Sequence, residues 1–185
     1  MAVTTLDPKT ALIVIDLQKG LANYPLAHGF ADVVANSRRL ADAFRAKHLP
    51  VVLVNAVAIA PGRTDQPRPN LPRDASFAEI VSELGQQPDD IVVSKRTWGV
   101  FASTDLEKQL RDLGITQVVV TGVATGSGVE STARQAYEAG FNVTLATDAM
   151  TDMRAETHTF CVANTFPRLG ETGTTAEIIA LLERN

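Results

Sequence analysis

Several features are scarce in this sequence, and each absence excludes a class of protein. A single cysteine, Cys161, excludes an intramolecular disulfide. No run of five like charges occurs and the net charge is −4, which disfavours nucleic acid and anionic membranes as partners. No apolar stretch reaches the roughly 18 residues that span a bilayer, and no secretory signal pattern opens the chain. We therefore predict a cytoplasmic protein with no nucleic-acid or membrane partner.

The remaining composition is that of an ordinary globular protein. Of the 185 residues, 45% are hydrophobic and 21% are charged, and both values are near the average. This length favours one domain, residues 1–185, rather than two. A chain of this size buries enough apolar surface to need no disulfide or metal for stability.

Short runs rich in Val and Ile alternate with longer segments of helical periodicity. The runs predict buried strands over residues 11–17, 51–57, 90–94, 117–122 and 142–146. Helices are predicted over residues 32–47, 76–84, 104–113, 129–139 and 155–163, and a capping box of Thr174 and Glu177 opens a last helix. This alternation predicts a mostly parallel sheet of five or six strands in a three-layer α/β/α sandwich.

Polar residues follow several of the predicted strands. Asp16 ends the first strand, Lys95 follows the third, a small-residue turn at 125–128 follows the fourth, and Asp148 follows the fifth. In open α/β sheets, ligands bind at the carboxyl ends of the strands. Burial raises the pKa of a carboxyl such as Asp16 and a nearby ammonium lowers it, so the pair suits acid–base catalysis; a structural ion pair is the alternative.

Two further segments have both a functional and a structural interpretation. The turn at 125–128 precedes a helix, whose first N–H groups favour an anion, or it is simply a tight turn that needs glycine. Residues 58–74 form a long loop rich in Pro and Arg, which is either a lid over an anion or a solvated loop.

Other catalytic motifs are missing. The sequence has no G-x-S-x-G elbow, no G-x-G-x-x-G after the first strand and no P-loop. Its three histidines, His28, His48 and His158, lack the spacing of metal ligands. We therefore expect neither a metal nor a cofactor. Cys161 falls within a predicted helix, far from any strand end, and is expected to be a core residue.

Five segments resemble the isochorismatase-like hydrolase superfamily. They are IDLQ at 15–18, KRTWGVF at 95–101, TGVAT at 121–125, VESTAR at 129–134 and DAMTD at 148–152. They occur in the family's order and cover nearly the whole chain, about residues 10–175.

This resemblance implies a Rossmann-like three-layer sandwich with a small-molecule substrate. It identifies Asp16 as the catalytic aspartate and Lys95 as the catalytic lysine. It also implies a cis peptide bond between Val123 and Ala124, and a homodimer or homotetramer.

One departure from the family pattern affects the chemistry. Most amidohydrolases of this superfamily have a cysteine nucleophile at the position of Gly128. Ser127 stands one position earlier, where we expect its side chain to point elsewhere, and is a weak alternative nucleophile. The metal motif of nicotinamidases, an Asp and two His near the second strand, is absent from residues 55–74.

Isochorismatases, which hydrolyse a vinyl ether, resemble this sequence in having glycine at the cysteine position. The resemblance therefore implies Asp16 as a general acid, Lys95 as its partner and the turn at Gly128 as an anion site. Isochorismate is a dianion, so the further cations would come from the arginines of the chain near the site, Arg63, Arg68, Arg73 or Arg96. Amide or imide hydrolysis by water, and a catalytically inactive binding protein, are the alternatives.

The predicted site extends beyond the acid–base pair. Gln18 lies on the same strand face as Asp16 and is expected to orient water or substrate. Trp98 and Phe101 are expected to form a wall of the pocket or to pack in the core. The remaining residues expected to contact the substrate lie in the turn after the fourth strand, namely Val123, Ala124, Thr125 and Ser127.

Overall fold

The computed structural model describes residues 3–67 and 75–184. Six strands form one sheet in the order β3-β2-β1-β4-β5-β6, and every neighbouring pair is parallel. The strands are β1 (Thr10–Ile15), β2 (Val51–Ala56), β3 (Ile91–Lys95), β4 (Gln117–Val123), β5 (Asn142–Thr151) and β6 (Glu171–Gly173). The prediction of a parallel α/β sheet is therefore confirmed.

Among the described residues there are five α-helices, and four of them bury side chains against the two faces of the sheet. The five helices are α1 (Phe30–Ala46), α2 (Leu106–Asp112), α3 (Glu130–Glu138), α4 (Ala155–Phe160) and α5 (Thr175–Arg184). Successive side chains of β1 alternate between two hydrophobic clusters: Leu12 and Val14 pack with α1 and α5, whereas Ile13 and Ile15 pack with α2 and α3. Since both faces of each inner strand are buried, the sequences of these strands are continuous apolar runs. Within the described ranges, no helix is long and apolar enough to cross a bilayer.

The segment predicted as a helix over residues 76–84 has a different structure. It forms two short 3₁₀ turns, Ala75–Ala78 and Ser82–Leu84. Between them, Ile80 makes an antiparallel bridge with Gln18, and the N–H of Val81 donates to Leu17 O at 3.1 Å. The helix prediction was wrong because these backbone groups bond to the segment after β1 instead of to one another.

The predicted end of the fifth strand was also wrong. Pairing with β4 continues through a bulge, so that Val123 still pairs with Thr151, and Asp148 therefore lies inside β5. Its carboxylate accepts hydrogen bonds from the backbone N–H (2.7 Å) and hydroxyl (2.8 Å) of Thr175. Asp148 thus caps the start of α5 and lies outside the cavity lining described below.

One predicted helix start is confirmed, and the bounds of two other helices differ from the prediction. The capping box is confirmed: the N–H of Thr174 donates to Glu177 Oε2 at 2.7 Å, and the N–H of Glu177 donates to Thr174 Oγ1 at 3.3 Å. The helix predicted from residue 129 begins at Glu130 and follows a π-helical turn, Thr125–Val129. The helix predicted over 155–163 ends at Phe160 and continues as a second π-helical turn.

The strand order creates a crevice where β1 lies between β2 and β4. From β1 the chain goes first to β2 on one side and later to β4 on the other, and the connections diverge at this point. Gly122 allows β4 to approach β1 closely there, since it has a φ of 115° and a Cβ atom on it would lie 2.0 Å from Ile15 O. Any larger residue at position 122 would push the two strand ends apart.

Candidate active site

Asp16 is the first residue beyond β1 and lies at the crevice. Its backbone has a left-handed φ of 53°, a conformation that Asp tolerates better than most residues. Its N–H donates to Val54 O at 2.9 Å, and its carbonyl accepts from the N–H of Gln18 at 2.9 Å. These bonds hold the turn in place and leave the carboxyl group buried, with the residue 6% exposed.

Lys95, the last residue of β3, reaches Asp16 across the intervening strand β2. Adjacent strands lie about 4.8 Å apart, so the lysine stem spans two inter-strand spacings. Ala56 is the β2 residue in register with Lys95, and its small side chain leaves room for the stem. Lys95 Nζ lies 2.6 Å from Asp16 Oδ2, so the structure brings together the two residues that the sequence placed at strand ends.

The electrostatics of this pair are dominated by burial. Burial raises the pKa of Asp16 to about 6, while the charge and hydrogen bond of Lys95 oppose that rise. Lys95 is 2% exposed. The second carboxylate oxygen, Oδ1, is buried and has no hydrogen-bond partner among the residues described. The carboxyl group therefore has one oxygen held by Lys95 and one buried oxygen without a hydrogen-bond partner among the described residues.

Gly128 faces the same carboxylate from the π-helical turn after β4. A Cβ atom at position 128 would lie 3.3 Å from Asp16 Oδ2, 3.0 Å from Ile15 Cγ2 and 3.1 Å from Val123 O. The peptide bond between Val123 and Ala124 is cis. A side chain at position 128 would therefore crowd Asp16, whereas glycine keeps the backbone of the turn close to the carboxylate.

The pair and the turn open into a cavity of about 140 Å³. Eight residues that the sequence predicted for the site line it, namely Asp16, Gln18, Lys95, Trp98, Val123, Ala124, Ser127 and Gly128. Sequence reasoning missed most of the apolar wall, which consists of Leu21, Tyr24, Leu26, Ala56, Phe77 and Met153. Ala58 and Ile59 also line the cavity and come from the loop predicted as a lid.

Gln18 has a different role from the predicted one. Its Oε1 accepts from the N–H of Ala56 at 2.8 Å, and its Nε2 donates to Phe77 O at 3.0 Å and to Ala56 O at 3.3 Å. The amide is therefore bonded to backbone on both sides. Gln18 fastens the segment containing Phe77 to the end of β2 and does not orient a substrate with its amide nitrogen.

Two predicted contact residues do not line the cavity. The Phe101 ring stacks on Phe141 with centroids 6.0 Å apart, because the N–H of Phe101 donates to Gln135 and turns the segment towards α3. Thr125 is fully buried, and its hydroxyl hydrogen-bonds His158 Nδ1 at 2.9 Å behind the turn. Neither residue therefore lines the cavity, since strand position does not determine which way a side chain beyond the strand points.

None of the four arginines considered as anion ligands is placed in the cavity lining by the described residues. Arg63 and Arg96 are exposed and lie outside the cavity lining, whereas Arg68 and Arg73 lie outside the described residues. Over residues 3–67 and 75–184, no group of three His, Cys, Asp or Glu residues is placed to hold a metal ion. Cys161 is buried and packs in the hydrophobic core, as predicted, and its thiol donates to Glu130 Oε2 at 3.0 Å.

Proteins similar to this chain match it over most of its length. Residues 10–177 match the Isochorismatase domain family. The isochorismatase family protein YwoC of Bacillus subtilis (strain 168) is 41% identical, covering 92% of this chain and 93% of that protein. The ureidoacrylate amidohydrolase RutB of Pseudomonas syringae pv. syringae is 32% identical, covering 75% of this chain and 69% of that protein. The solved structure of an isochorismatase family protein from Burkholderia thailandensis has a TM-score of 0.95, with 42% identity over 98% of this chain and 100% of that one.

Fold, site and similarity together define a hydrolase built on a parallel α/β sheet, with an acidic residue at its crevice. The chain belongs to the isochorismatase family.

Proposed function

We propose that this protein hydrolyses a small amide or imide with water as the nucleophile and Asp16 as the general base. One observation carries the proposal: a Cβ atom at position 128 would lie 3.3 Å from Asp16 Oδ2. Where a cysteine would place its side chain against the carboxylate, Gly128 has no side chain, and Gly128 and Asp16 line the same cavity. A water molecule there is within reach of a carboxylate that accepts its proton.

The proposed reaction proceeds without a covalent intermediate on the protein. The water oxygen adds to the acyl carbon while its proton passes to Asp16. The C–N bond of the tetrahedral intermediate then breaks, and Asp16 returns the proton to the leaving nitrogen. The products are a carboxylic acid and an amine, or an amide from an imide. Lys95 holds Asp16 in place and stabilises its charged form, since its Nζ lies 2.6 Å from Oδ2.

The charge of the site favours amides and imides over isochorismate. Lys95 is the one cationic residue among the described residues that line the cavity, and its charge is already matched by Asp16. Isochorismate has two carboxylates that need cations or strong donors when they leave water. The name of the relative RutB, an amidohydrolase acting on ureidoacrylate, also supports an amide-type bond.

Vinyl-ether hydrolysis is a second candidate, favoured by the pKa of about 6 for Asp16. Near neutral pH a fraction of Asp16 is protonated and can donate its proton to the terminal carbon of an enol ether. Water then adds to the oxocarbenium ion and returns a proton to Asp16, and the resulting hemiketal breaks down to a ketone such as pyruvate and an alcohol. This reaction needs Asp16 as an acid, whereas amide hydrolysis needs it first as a base.

A binding protein without turnover is the remaining alternative. Lys95 and Asp16 are both largely buried, and removing two charges from water carries a substantial desolvation cost. A catalytic use for the pair explains why such a costly arrangement is present.

The test compares the wild type with Asp16→Asn and Cys161→Ala on two assays. One follows ammonia or amine release from a panel of amides and imides, and the other follows pyruvate release from isochorismate. Cys161→Ala contains no cysteine, so it is the matched control for thiol chemistry. Circular dichroism verifies that each variant is folded.

We expect amide or imide turnover that is lost in Asp16→Asn and retained in Cys161→Ala. Turnover that survives in Asp16→Asn contradicts the role of Asp16. Pyruvate release lost in Asp16→Asn replaces the amide proposal with the vinyl-ether one. Absence of turnover in both assays, despite saturable ligand binding, supports the binding-protein alternative.

A further inference from the structure

A second aspartate is bonded to the turn that contains Gly128. Asp152 directly follows β5, and its Oδ2 accepts a hydrogen bond from the backbone N–H of Gly126 at 2.8 Å. Its Oδ1 accepts from the N–H of Arg154 at 3.2 Å. Asp152 is largely buried and lies outside the cavity lining. It therefore contacts the turn without lining the cavity.

The residues of this turn do not fix its conformation by themselves. Its sequence is Thr-Gly-Ser-Gly-Val over residues 125–129, and glycine restricts the backbone less than any other residue. The turn is a single π-helical turn, a form that is rare in proteins. The first N–H groups of a helix have no acceptor within the helix, so the N–H of Gly126 needs an acceptor elsewhere. Asp152 supplies it.

Other contacts keep the turn folded but do not replace this bond. The hydroxyl of Thr125 hydrogen-bonds His158 Nδ1 at 2.9 Å. A Cβ atom on Gly126 would lie 2.3 Å from Thr157 Cγ2, so α4 packs directly on the turn. Neither contact involves the N–H of Gly126. Loss of the Asp152 carboxylate should therefore loosen the backbone from residue 126 onwards without unfolding the turn.

The main chain of Asp152 fastens a different part of the cavity. Its carbonyl accepts from the N–H of Ala27 at 2.8 Å, and the adjacent Leu26 lines the cavity. This main-chain bond is independent of the side chain at residue 152. A substitution of Asp152 therefore removes the bond to the turn and keeps the bond to this wall segment.

We propose that Asp152 is a positioning residue for hydrolysis, which holds the turn so that Gly128 stays beside Asp16. Gly126 and Gly128 belong to the same turn, so a shift at the first displaces the second, and Gly128 lines the cavity together with Asp16. The role requires an acceptor oxygen on residue 152 rather than a negative charge. The proposal rests on the proposed function only in using turnover as one readout, and it holds for either candidate reaction.

Asp148 provides a matched control from the same part of the chain. It lies in β5, and its carboxylate accepts from the backbone N–H of Thr175 at 2.7 Å and from the hydroxyl of the same residue at 2.8 Å. Asp148→Ala thus removes a carboxylate that accepts from a backbone N–H at the start of a helix, as Asp152→Ala does. It should lower stability without altering the turn or the cavity.

The experiment compares the wild type with Asp152→Ala, Asp152→Asn and Asp148→Ala. Steady-state kinetics uses whichever compound of the amide and imide panel, or isochorismate, the wild type turns over. Urea unfolding measures the stability of each variant. Hydrogen exchange of the Gly126 amide, followed by NMR without any ligand, reports on the turn independently of turnover.

We expect kcat to fall at least about tenfold in Asp152→Ala, because small displacements in an active site cost that much or more. The change in KM should be smaller, since the wall segment keeps its bond. Asp152→Asn retains an acceptor oxygen and should recover most of kcat. Asp148→Ala should keep the wild-type kcat despite its lower stability. Exchange of the Gly126 amide should be at least about tenfold faster in Asp152→Ala only.

Three results would overturn the proposal. They are a wild-type kcat in Asp152→Ala, an equal fall of kcat in Asp148→Ala, and an Asp152→Asn variant as slow as Asp152→Ala. Absence of turnover in every assay would contradict the proposed function instead. The exchange rate of the Gly126 amide would then still decide whether Asp152 holds the turn, and an unchanged rate in Asp152→Ala would show that it does not.

Discussion

Gly128 and Asp16 lie against each other, such that a Cβ atom on residue 128 would be 3.3 Å from Asp16 Oδ2. Gly128 belongs to the turn after β4, and Asp16 follows β1. The two strands are neighbours in the sheet, which places the turn over the carboxylate. Both residues line the cavity, from which the proposed water nucleophile has access to its base.

A methyl group at residue 128 should slow the reaction without unfolding the protein. In Gly128→Ala, the new methyl would lie 3.0 Å from Ile15 Cγ2, 3.1 Å from Val123 O and 3.3 Å from Asp16 Oδ2, so these neighbours must shift by a few tenths of an ångström. We expect kcat to fall about 100-fold, as it does when a reacting group is displaced by about 1 Å. Steady-state kinetics with the best amide of the panel measures the loss.

Ser127→Ala is the matched control for this variant, because Ser127 is the adjacent residue and also lines the cavity. It should retain most of the activity if water is the nucleophile. A loss as large as that of Gly128→Ala would instead indicate that the Ser127 hydroxyl attacks the substrate.

The pH dependence of kcat/KM separates the two candidate reactions. The pKa of Asp16 is raised by burial to about 6. A general base must be deprotonated, so amide hydrolysis should rise with pH through about 6 and then level off. Vinyl-ether hydrolysis uses the protonated form and should fall with rising pH over the same range.

Lys95→Met should move this transition to higher pH. Lys95 lowers the pKa of Asp16 through its charge and hydrogen bond, so its removal leaves the effect of burial unopposed. The residual activity of the variant, measured as kcat/KM from pH 4 to 9, reports the shift. A transition that stays at the wild-type pH would show that a group other than Asp16 titrates.

Gln18 should contribute to stability rather than to substrate binding. Gln18→Met keeps the shape of the side chain but leaves the N–H of Ala56 and the carbonyl of Phe77 without their partner. Each unsatisfied buried group costs about 1–3 kcal/mol, and urea unfolding measures the total. Limited proteolysis should also cut residues 75–80 faster in the variant.

Gln86→Met is the control for that measurement, because Gln86 is exposed. Its unfolding free energy should stay within about 0.5 kcal/mol of the wild type. Equal stability of Gln18→Met and Gln86→Met would contradict the role assigned to the Gln18 amide.

Cys161 should be unreactive in the native protein. Burial raises the pKa of its thiol to about 12, with a further contribution from the hydrogen bond to Glu130. Because the thiolate is the reactive form, a disulfide reagent such as DTNB should label the native protein slowly and the urea-unfolded protein at once. Fast stoichiometric labelling of the native chain would contradict this environment and reopen the possibility of thiol chemistry.

The elements that could be predicted from the sequence are those specified by local patterns. Apolar runs identified five of the six strands, and Thr174 with Glu177 identified the start of α5. Asp16 and Lys95 could be assigned to one rim because parallel strands bring their carboxyl ends to the same edge. Their juxtaposition is therefore a consequence of strand position, which the sequence encodes directly.

The sequence by itself determined five of the six strands, their parallel arrangement, the edge at which the site lies and the glycine near Asp16. Only the tertiary structure decided which side chains form the cavity wall. Gln18 and Phe77 are 59 residues apart, and no local period relates such positions. Asp148 and Phe101 likewise face other partners because strand pairing and helix packing, which depend on the whole chain, direct their side chains away from the cavity.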